Sequence, residues 1–209
     1  MQLKTLVKVS AVNNLSDARY CAGMGVTMMG FALDSDYPHY IGPEKFKAIT
    51  QWIQGVTLVG ELDTTDPTVI QKVLDQYAVD CLQLNDPIAT RSIASLTVPL
   101  LIKLRIQGNE TLHALQSCMN AYIPYCQYFL LEAASSHAVD FTALQPTINH
   151  LAQYFPILQG YNITPTRLPE LLTTQLQGIA LQGGVETQPG YKDFDSLADV
   201  LEHLAIESS

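Results

Sequence analysis

The strongest constraint on the fold of this chain is a regular alternation of short apolar, β-branched segments with segments of helical periodicity. The apolar segments recur about every 26 residues, and they cover residues 3–10, 26–33, 56–62, 79–84, 99–104, 125–132, 155–159 and 178–182. Strands that are each followed by a helix pair in parallel through right-handed crossovers. Eight such units in 209 residues favour a small closed (β/α)8 barrel, the TIM barrel, over an open sheet.

Helix start signals lie between the predicted strands. Asn14 or Ser16 can cap a helix that ends near residue 23, Pro43 opens a second, and Asp66 followed by Pro67 opens a third that ends near residue 77. Later helices are predicted over residues 87–95, 110–119, 141–154, 165–173 and 193–204. The chain has no Ser/Gly-rich linker and no shift in composition. We therefore expect a single barrel domain over residues 1–209.

Composition narrows the classes of protein to which the chain can belong. An apolar content of 47% excludes a disordered chain. Every apolar run is well short of the roughly 20 residues that cross a bilayer, and Lys4 and Lys8 interrupt the apolar residues at the start. Twenty carboxylates against 11 Lys and Arg leave no clustered basic face for a phosphate backbone. The prediction is a soluble, cytoplasmic protein with no membrane or nucleic-acid partner.

The cysteines and histidines show no metal-binding pattern. Cys21, Cys81, Cys118 and Cys126 form no CxxC pair, have apolar neighbours and are interpreted as buried thiols of a cytosolic protein. The five histidines lack ligand spacing. We predict no metal and no cofactor. His39 and His137 fall in loops at the expected functional face, where either a ligand contact or ordinary exposure fits the sequence.

In barrels of this type the functional groups lie where strands end and the next loops begin. The predicted strand ends carry polar and small residues: Ser10, Asp34, Asp63, Asn85, Arg105, Glu132, Gln159, Gly160, Gly183 and Gly184. Glu132 follows an apolar run, which suits a general acid at the barrel mouth. A structural ion pair of Glu132 with Arg105 or Lys103 from the neighbouring strand fits the sequence equally well.

Glycines follow the last two predicted strands, at Gly160, Gly183 and Gly184. Barrels commonly bind a phosphate at this place through backbone N–H groups. Glycines also serve tight turns, so this pattern leaves both interpretations open.

The order of these motifs resembles the phosphoribosylanthranilate isomerase family over nearly the whole chain. Residues 7–11 read VKVSA where the family has Val-Lys-Ile-Cys-Gly, and residues 83–86 read QLND where it has Gln-Leu-His-Gly. Residues 130–132 read LLE in place of Leu-Leu-Asp. The most specific match is residues 183–193, GGVETQPGYKD, which is similar to Ser-Gly-Val-Glu-x-x-Pro-Gly-x-Lys-Asp.

The resemblance implies a barrel for a cofactor-free Amadori rearrangement in tryptophan biosynthesis. In that family a cysteine after the first strand is the general base and an aspartate after the sixth is the general acid; those positions here are Ser10 and Glu132. The family's pocket arginine and histidine correspond to His39 and Asn85. A further substrate contact is expected at Arg105. The family's phosphate loops correspond to the segments that hold Gly160, Gly183 and Gly184.

Three hypotheses follow. The leading one is a member of this family with weakened or lost isomerase activity, a pseudoenzyme that still binds a small phosphorylated metabolite. The second is a working isomerase in which Glu132 carries out both proton transfers. The third is a non-catalytic structural or interaction protein. In each case the chain is expected to be a monomer or a homodimer.

Overall fold

Eight parallel strands close into a barrel in which each strand pairs with the next and β8 pairs with β1. The computed structural model describes residues 1–36, 39–85, 88–134, 140–183, 185–188, 191–193 and 195–206. The strands are β1 Leu6–Ser10, β2 Met28–Ala32, β3 Thr57–Glu61, β4 Cys81–Asn85, β5 Leu100–Ile106, β6 Tyr128–Ala133, β7 Ile157–Gln159 and β8 Gly178–Gln182. The predicted (β/α)8 barrel is confirmed, with every strand within about three residues of its expected ends.

A helix follows each strand of the barrel, and β8 is separated from its helix by a hairpin. The helices are α1 Leu15–Gly23, α2 Pro43–Thr50, α3 Pro67–Gln76, α4 Thr90–Ile93, α5 Leu112–Tyr122, α6 Gln145–Leu151, α7 Leu168–Leu171 and α8 Asp195–Leu204. Two of the predicted helix starts are confirmed by side-chain hydrogen bonds: Asn14 caps α1 and Asp66 caps α3. Helices α4, α6 and α7 are shorter than predicted, since turns occupy much of the expected range.

An antiparallel hairpin that the sequence analysis did not predict follows the barrel. Its strands are β9 Val185–Gln188 and β10 Tyr191–Asp193. Two strands of four and three residues with mostly polar sequences give a weak periodic signal. The hairpin lies within the segment that resembles the family most specifically, residues 183–193.

Two apolar clusters form the core. The larger one fills the space between the barrel wall and the helices. The smaller one lies inside the barrel and consists of Met28, Val59, Cys81, Leu101, Leu130, Leu158 and Ala180. Because side chains alternate along a strand, a residue two or four positions away from one of these cluster members also lies on the inward face and points into the barrel. That face becomes polar towards the strand ends, at Lys8, Ser10, Glu61, Gln83, Asn85 and Lys103, all of which are buried.

The four cysteines are free thiols. Cys21 and Cys81 are buried, as predicted, whereas Cys118 and Cys126 are only partly buried. Burial raises the pKa of Cys81 and of Cys126 to about 12, so both stay protonated at neutral pH. In the described ranges no group of three or more His, Cys, Asp and Glu side chains has a metal-binding arrangement. No helix among the described residues is long and apolar enough to cross a membrane.

Candidate active site

Lys8, Ser10 and Glu61 form a hydrogen-bonded cluster inside the barrel. The Lys8 side chain is fully buried and Ser10 is 6% exposed. Lys8 Nζ lies 2.6 Å from Ser10 Oγ and forms an ion pair with Glu61 Oε1. The second Glu61 oxygen accepts a hydrogen bond from the Ala11 backbone N–H at 3.2 Å. The residue at the family's general-base position is therefore held by a buried ion pair.

The Glu61 carboxyl keeps its charge at neutral pH. Burial alone would raise its pKa, but the Lys8 ammonium and the hydrogen bonds from Lys8, Ser10 and the Ala11 amide outweigh burial and lower the pKa. A carboxylate with a lowered pKa is a weak base. The Ser10 hydroxyl thus contacts an ammonium and a weakly basic carboxylate, and neither is suited to take its proton.

Gly30 makes room for this ion pair. It lies on β2, the strand between those of Lys8 and Glu61. A Cβ atom at Gly30 would overlap the Glu61 carboxylate and lie 3.0 Å from Lys8 Nζ. A side chain at this position is incompatible with the pair as it stands, so the glycine is explained by close approach rather than by a turn.

Ala11 adopts a left-handed backbone conformation beside Ser10, with φ at 56°. The resemblance places a glycine at this position. Left-handed geometry costs an L-residue roughly 1–2 kcal/mol, while glycine has a larger entropy cost on folding. We expect Ala11→Gly to raise the free energy of unfolding by about 0.5 kcal/mol, measured by urea denaturation. Ala22→Gly, inside α1, is the control and should lower it; a destabilised Ala11→Gly would contradict the strain assigned to residue 11.

Glu132 lies at the end of β6 and faces the barrel mouth. Lys103 Nζ is 3.5 Å from Glu132 Oε2, and Gln182 Nε2 donates to Glu132 Oε1 at 2.8 Å. The Glu132 side chain remains 23% exposed. Of the two partners considered from sequence, Lys103 forms this ion pair. Arg105 instead contacts Asp63 at 3.1 Å in an exposed pair at the rim.

Asn85 and His39, the positions matched to the family's pocket residues, differ in their surroundings. Asn85 is buried at the end of β4, next to Lys103 in the register of β4 and β5. His39 is exposed in the turn before α2, with φ at 69°. The neighbouring Tyr40 contacts the Tyr77 hydroxyl at 3.2 Å, which favours local packing for that ring. His137 lies outside the described residues.

The backbone amides of two predicted phosphate-site glycines already form hydrogen bonds. Gly160 N donates to Leu131 O at 2.8 Å, and Gly183 N donates to Ser10 O at 2.9 Å. A Cβ at Gly183 would approach Ser10 O to 2.8 Å. Both glycines permit close strand packing, and neither amide is a spare donor for an anion. Gly184 lies outside the described residues.

Sequence reasoning placed Gln159 at the mouth, but its side chain points out of the barrel towards α6. Gln159 Oε1 accepts from Gln145 Nε2 at 3.1 Å, and Gln159 Nε2 donates to the Tyr161 carbonyl at 3.2 Å. The reason is alternation, because Leu158 occupies the inward position of β7. Conversely, the sequence analysis missed three inward-facing polar residues, Glu61, Gln83 and Gln182. Each lies two residues after an apolar residue of the smaller, interior cluster, a spacing that is visible in the sequence.

Comparison with known proteins identifies relatives over the whole chain. No family model matches it. The N-(5'-phosphoribosyl)anthranilate isomerase of Rippkaea orientalis is 25% identical over 213 residues, which cover 97% of each chain. The chain is a divergent relative of the phosphoribosylanthranilate isomerases. Its barrel superposes on the phosphoribosylanthranilate isomerase of Thermotoga maritima with a TM-score of 0.79 and 19% identity, covering 96% of this chain and 98% of the other.

A second solved phosphoribosylanthranilate isomerase holds reduced 1-(o-carboxyphenylamino)-1-deoxyribulose 5-phosphate. This chain matches it with a TM-score of 0.76 and 19% identity, covering 96% of this chain and 98% of the other. At that identity the likeness concerns the fold. This chain therefore shares the barrel with the phosphoribosylanthranilate isomerases, and the chemistry of its mouth follows from the contacts of its own side chains.

Proposed function

We propose that this chain is a phosphoribosylanthranilate isomerase-type barrel that binds a small phosphorylated metabolite at its mouth and has lost most or all of the isomerase activity. Its relatives support the family and the pathway, tryptophan biosynthesis. The proposal also places the protein in the cytoplasm as a monomer or a homodimer, with one barrel domain over residues 1–209.

The observation that carries this proposal is the environment of Ser10. A thiol has an ordinary pKa near 8.5 and supplies some thiolate at neutral pH, whereas a serine hydroxyl needs an adjacent base. The groups that face Ser10 are the Lys8 ammonium and the Glu61 carboxylate, which form an ion pair with each other. Among the described residues, the position that supplies the base in the family thus has no basic group beside it.

Binding is supported by the polar groups that remain at the mouth. Glu132, Lys103 and Gln182 form a connected set, and Arg105 is about half exposed at the rim. Because Arg105 and Asp63 form an exposed pair worth little energy, Arg105 can exchange Asp63 for an anionic ligand group. We therefore assign Arg105, rather than the Gly160 or Gly183 amides, to the ligand phosphate.

The alternative is a working isomerase in which Glu132 performs both proton transfers. Its support is that Glu132 has an accessible carboxylate, held in one orientation by Lys103 and Gln182. One carboxyl group can serve as base and then acid when the substrate shifts little between the two steps.

A turnover assay separates the two functions. The loss of fluorescence of freshly generated phosphoribosylanthranilate is followed with wild type, Glu132→Gln and Ser10→Ala. We expect no loss above the uncatalysed rate for any of the three proteins. Turnover that persists in Ser10→Ala and disappears in Glu132→Gln would establish the working isomerase and overturn the proposal.

A further inference from the structure

Two buried amide oxygens face the inside of the barrel with their hydrogen-bonding capacity unused. Gln83 is 3% exposed and Asn85 is 9% exposed. Neither Gln83 Oε1 nor Asn85 Oδ1 has a hydrogen-bond partner within the part of the chain that the structure describes. Both lie on the face of β4 that carries Cys81, a member of the interior cluster. Buried acceptors of this kind are costly to the fold unless a donor meets them.

The two lysines in the buried part of the barrel that the structure describes, Lys8 and Lys103, are already neutralised. Lys8 is paired with Glu61. Lys103, whose backbone is in register with Asn85, is paired with Glu132. A carboxylate that entered this region would leave the two amide oxygens without a donor and would find the ammonium groups already compensated by Glu61 and Glu132. A hydroxyl or amino group would supply the donors that Gln83 and Asn85 can accept.

The rim has the opposite character. Arg105 ends the inward row of β5, and its guanidinium is about half exposed. A ligand anion can reach it there without entering the barrel. The polar groups of the mouth therefore change with depth: hydrogen-bond acceptors lie inside the barrel, and a cation that can exchange its partner lies at the rim.

We propose that the inner mouth binds the hydroxyl- or amino-bearing end of its ligand, with Gln83 and Asn85 as acceptors, while the ligand's anionic end stays at the rim. This inference rests on the proposed function and names its substrate class: a small polyol or amino sugar with one anionic end, rather than a metabolite that buries a carboxylate.

The chain provides a matched control for testing this inference. Gln83→Leu and Gln159→Leu are the same substitution on two buried strand positions. Gln159 faces outward and uses both ends of its amide, towards Gln145 and the Tyr161 carbonyl. Gln159→Leu should lower the thermal midpoint by about 4 °C or more. Gln83→Leu removes an oxygen without a protein donor, so its midpoint should stay unchanged or rise.

Binding is measured by amide NMR titration with ribose 5-phosphate, inorganic phosphate and ribitol. Wild type and Gln159→Leu should bind ribose 5-phosphate at least about tenfold more tightly than inorganic phosphate. In Gln83→Leu that ratio should fall to within about twofold. Any of three results would overturn the inference: wild type binds both probes equally tightly, Gln83→Leu keeps the full preference for ribose 5-phosphate, or the thermal midpoint of Gln83→Leu falls as far as that of Gln159→Leu.

The same titrations separate the inference from the proposed function. If Gln83→Leu binds ribose 5-phosphate as tightly as wild type does, the inference is overturned while the binding of a phosphorylated ligand stands. If ribitol binds as tightly as ribose 5-phosphate and Gln83→Leu abolishes both, the acceptors are established and the phosphorylated ligand is overturned. A folded wild type that binds none of the three probes overturns both.

Discussion

Glu61→Gln is expected to lower the free energy of unfolding by about 3–5 kcal/mol, because it leaves the Lys8 ammonium buried without its counter-charge. The side chains of both partners are almost fully buried, and the Ala11 amide and the Ser10 hydroxyl form hydrogen bonds to the same carboxylate. Urea denaturation at neutral pH measures the loss.

The double variant Lys8→Met, Glu61→Gln is the control for this effect. It removes both charges and keeps an acceptor for the Ala11 amide, so we expect it to recover most of the stability. Recovery would assign the loss to the unpaired charge. A double variant as unstable as Glu61→Gln, or a single variant within about 1 kcal/mol of wild type, would contradict a structural role for the pair.

The pH dependence of stability provides an independent check on Glu61. Its pKa is lowered in the folded protein, so its contribution is fully present above the ordinary value of 4.5 and is lost as pH falls through the folded-state pKa. Wild type should therefore lose stability on acidification below about pH 4.5. In the double variant Lys8→Met, Glu61→Gln this part of the acid dependence should be absent; an unchanged acid profile would contradict the lowered pKa.

The second large effect is expected from restoring the two family side chains. Ser10→Cys replaces the hydroxyl by a thiol, whose ordinary pKa near 8.5 supplies some thiolate at neutral pH even beside the neutralised Lys8–Glu61 pair. Glu132→Asp restores the shorter acid that the resemblance implies. General acid and base groups contribute about 10²–10⁴-fold to rate. We expect the double variant to isomerise phosphoribosylanthranilate at least about 10²-fold faster than wild type.

Two further variants separate the contributions of the two side chains. Ser10→Cys alone should give part of the gain, since Glu132 still presents a carboxyl group at the mouth. Ser10→Ala with Glu132→Asp should give none. A folded double variant no faster than wild type would show that the missing thiol is not the reason for low activity and would point to His39 and Asn85.

The barrel was predictable because its signals are local. Apolar runs and caps such as Asn14 and Asp66 depend on neighbouring residues in the chain, and eight repeats of one pattern define the topology. The hairpin of β9 and β10 was missed because its strands are short and polar. Helices α4 and α7 were overestimated because turn and helix share the same local signals at their ends.

The site was predictable in its positions but not in its pairings. Strand ends identified Ser10, Asn85, Arg105 and Glu132 as mouth residues. The partner of Lys8 could not be read from the sequence, because Glu61 lies two strands away and meets Lys8 only across the space that Gly30 leaves. Lys103 and Arg105 share the inward face of β5, and Arg105 is the one in register with Glu132, so the choice of cation depends on the competing Asp63 carboxylate at the rim, which strand register alone does not reveal.

The most direct test of the central claim is a single-turnover experiment with protein in excess over freshly generated phosphoribosylanthranilate, in which fluorescence anisotropy and intensity are recorded together. The account predicts that the intensity decays at the uncatalysed rate in wild type, and an immediate rise in anisotropy would show in addition that the mouth holds this compound without isomerising it. A rapid exponential loss of intensity in wild type that is absent in Glu132→Gln would contradict the account and establish a working isomerase.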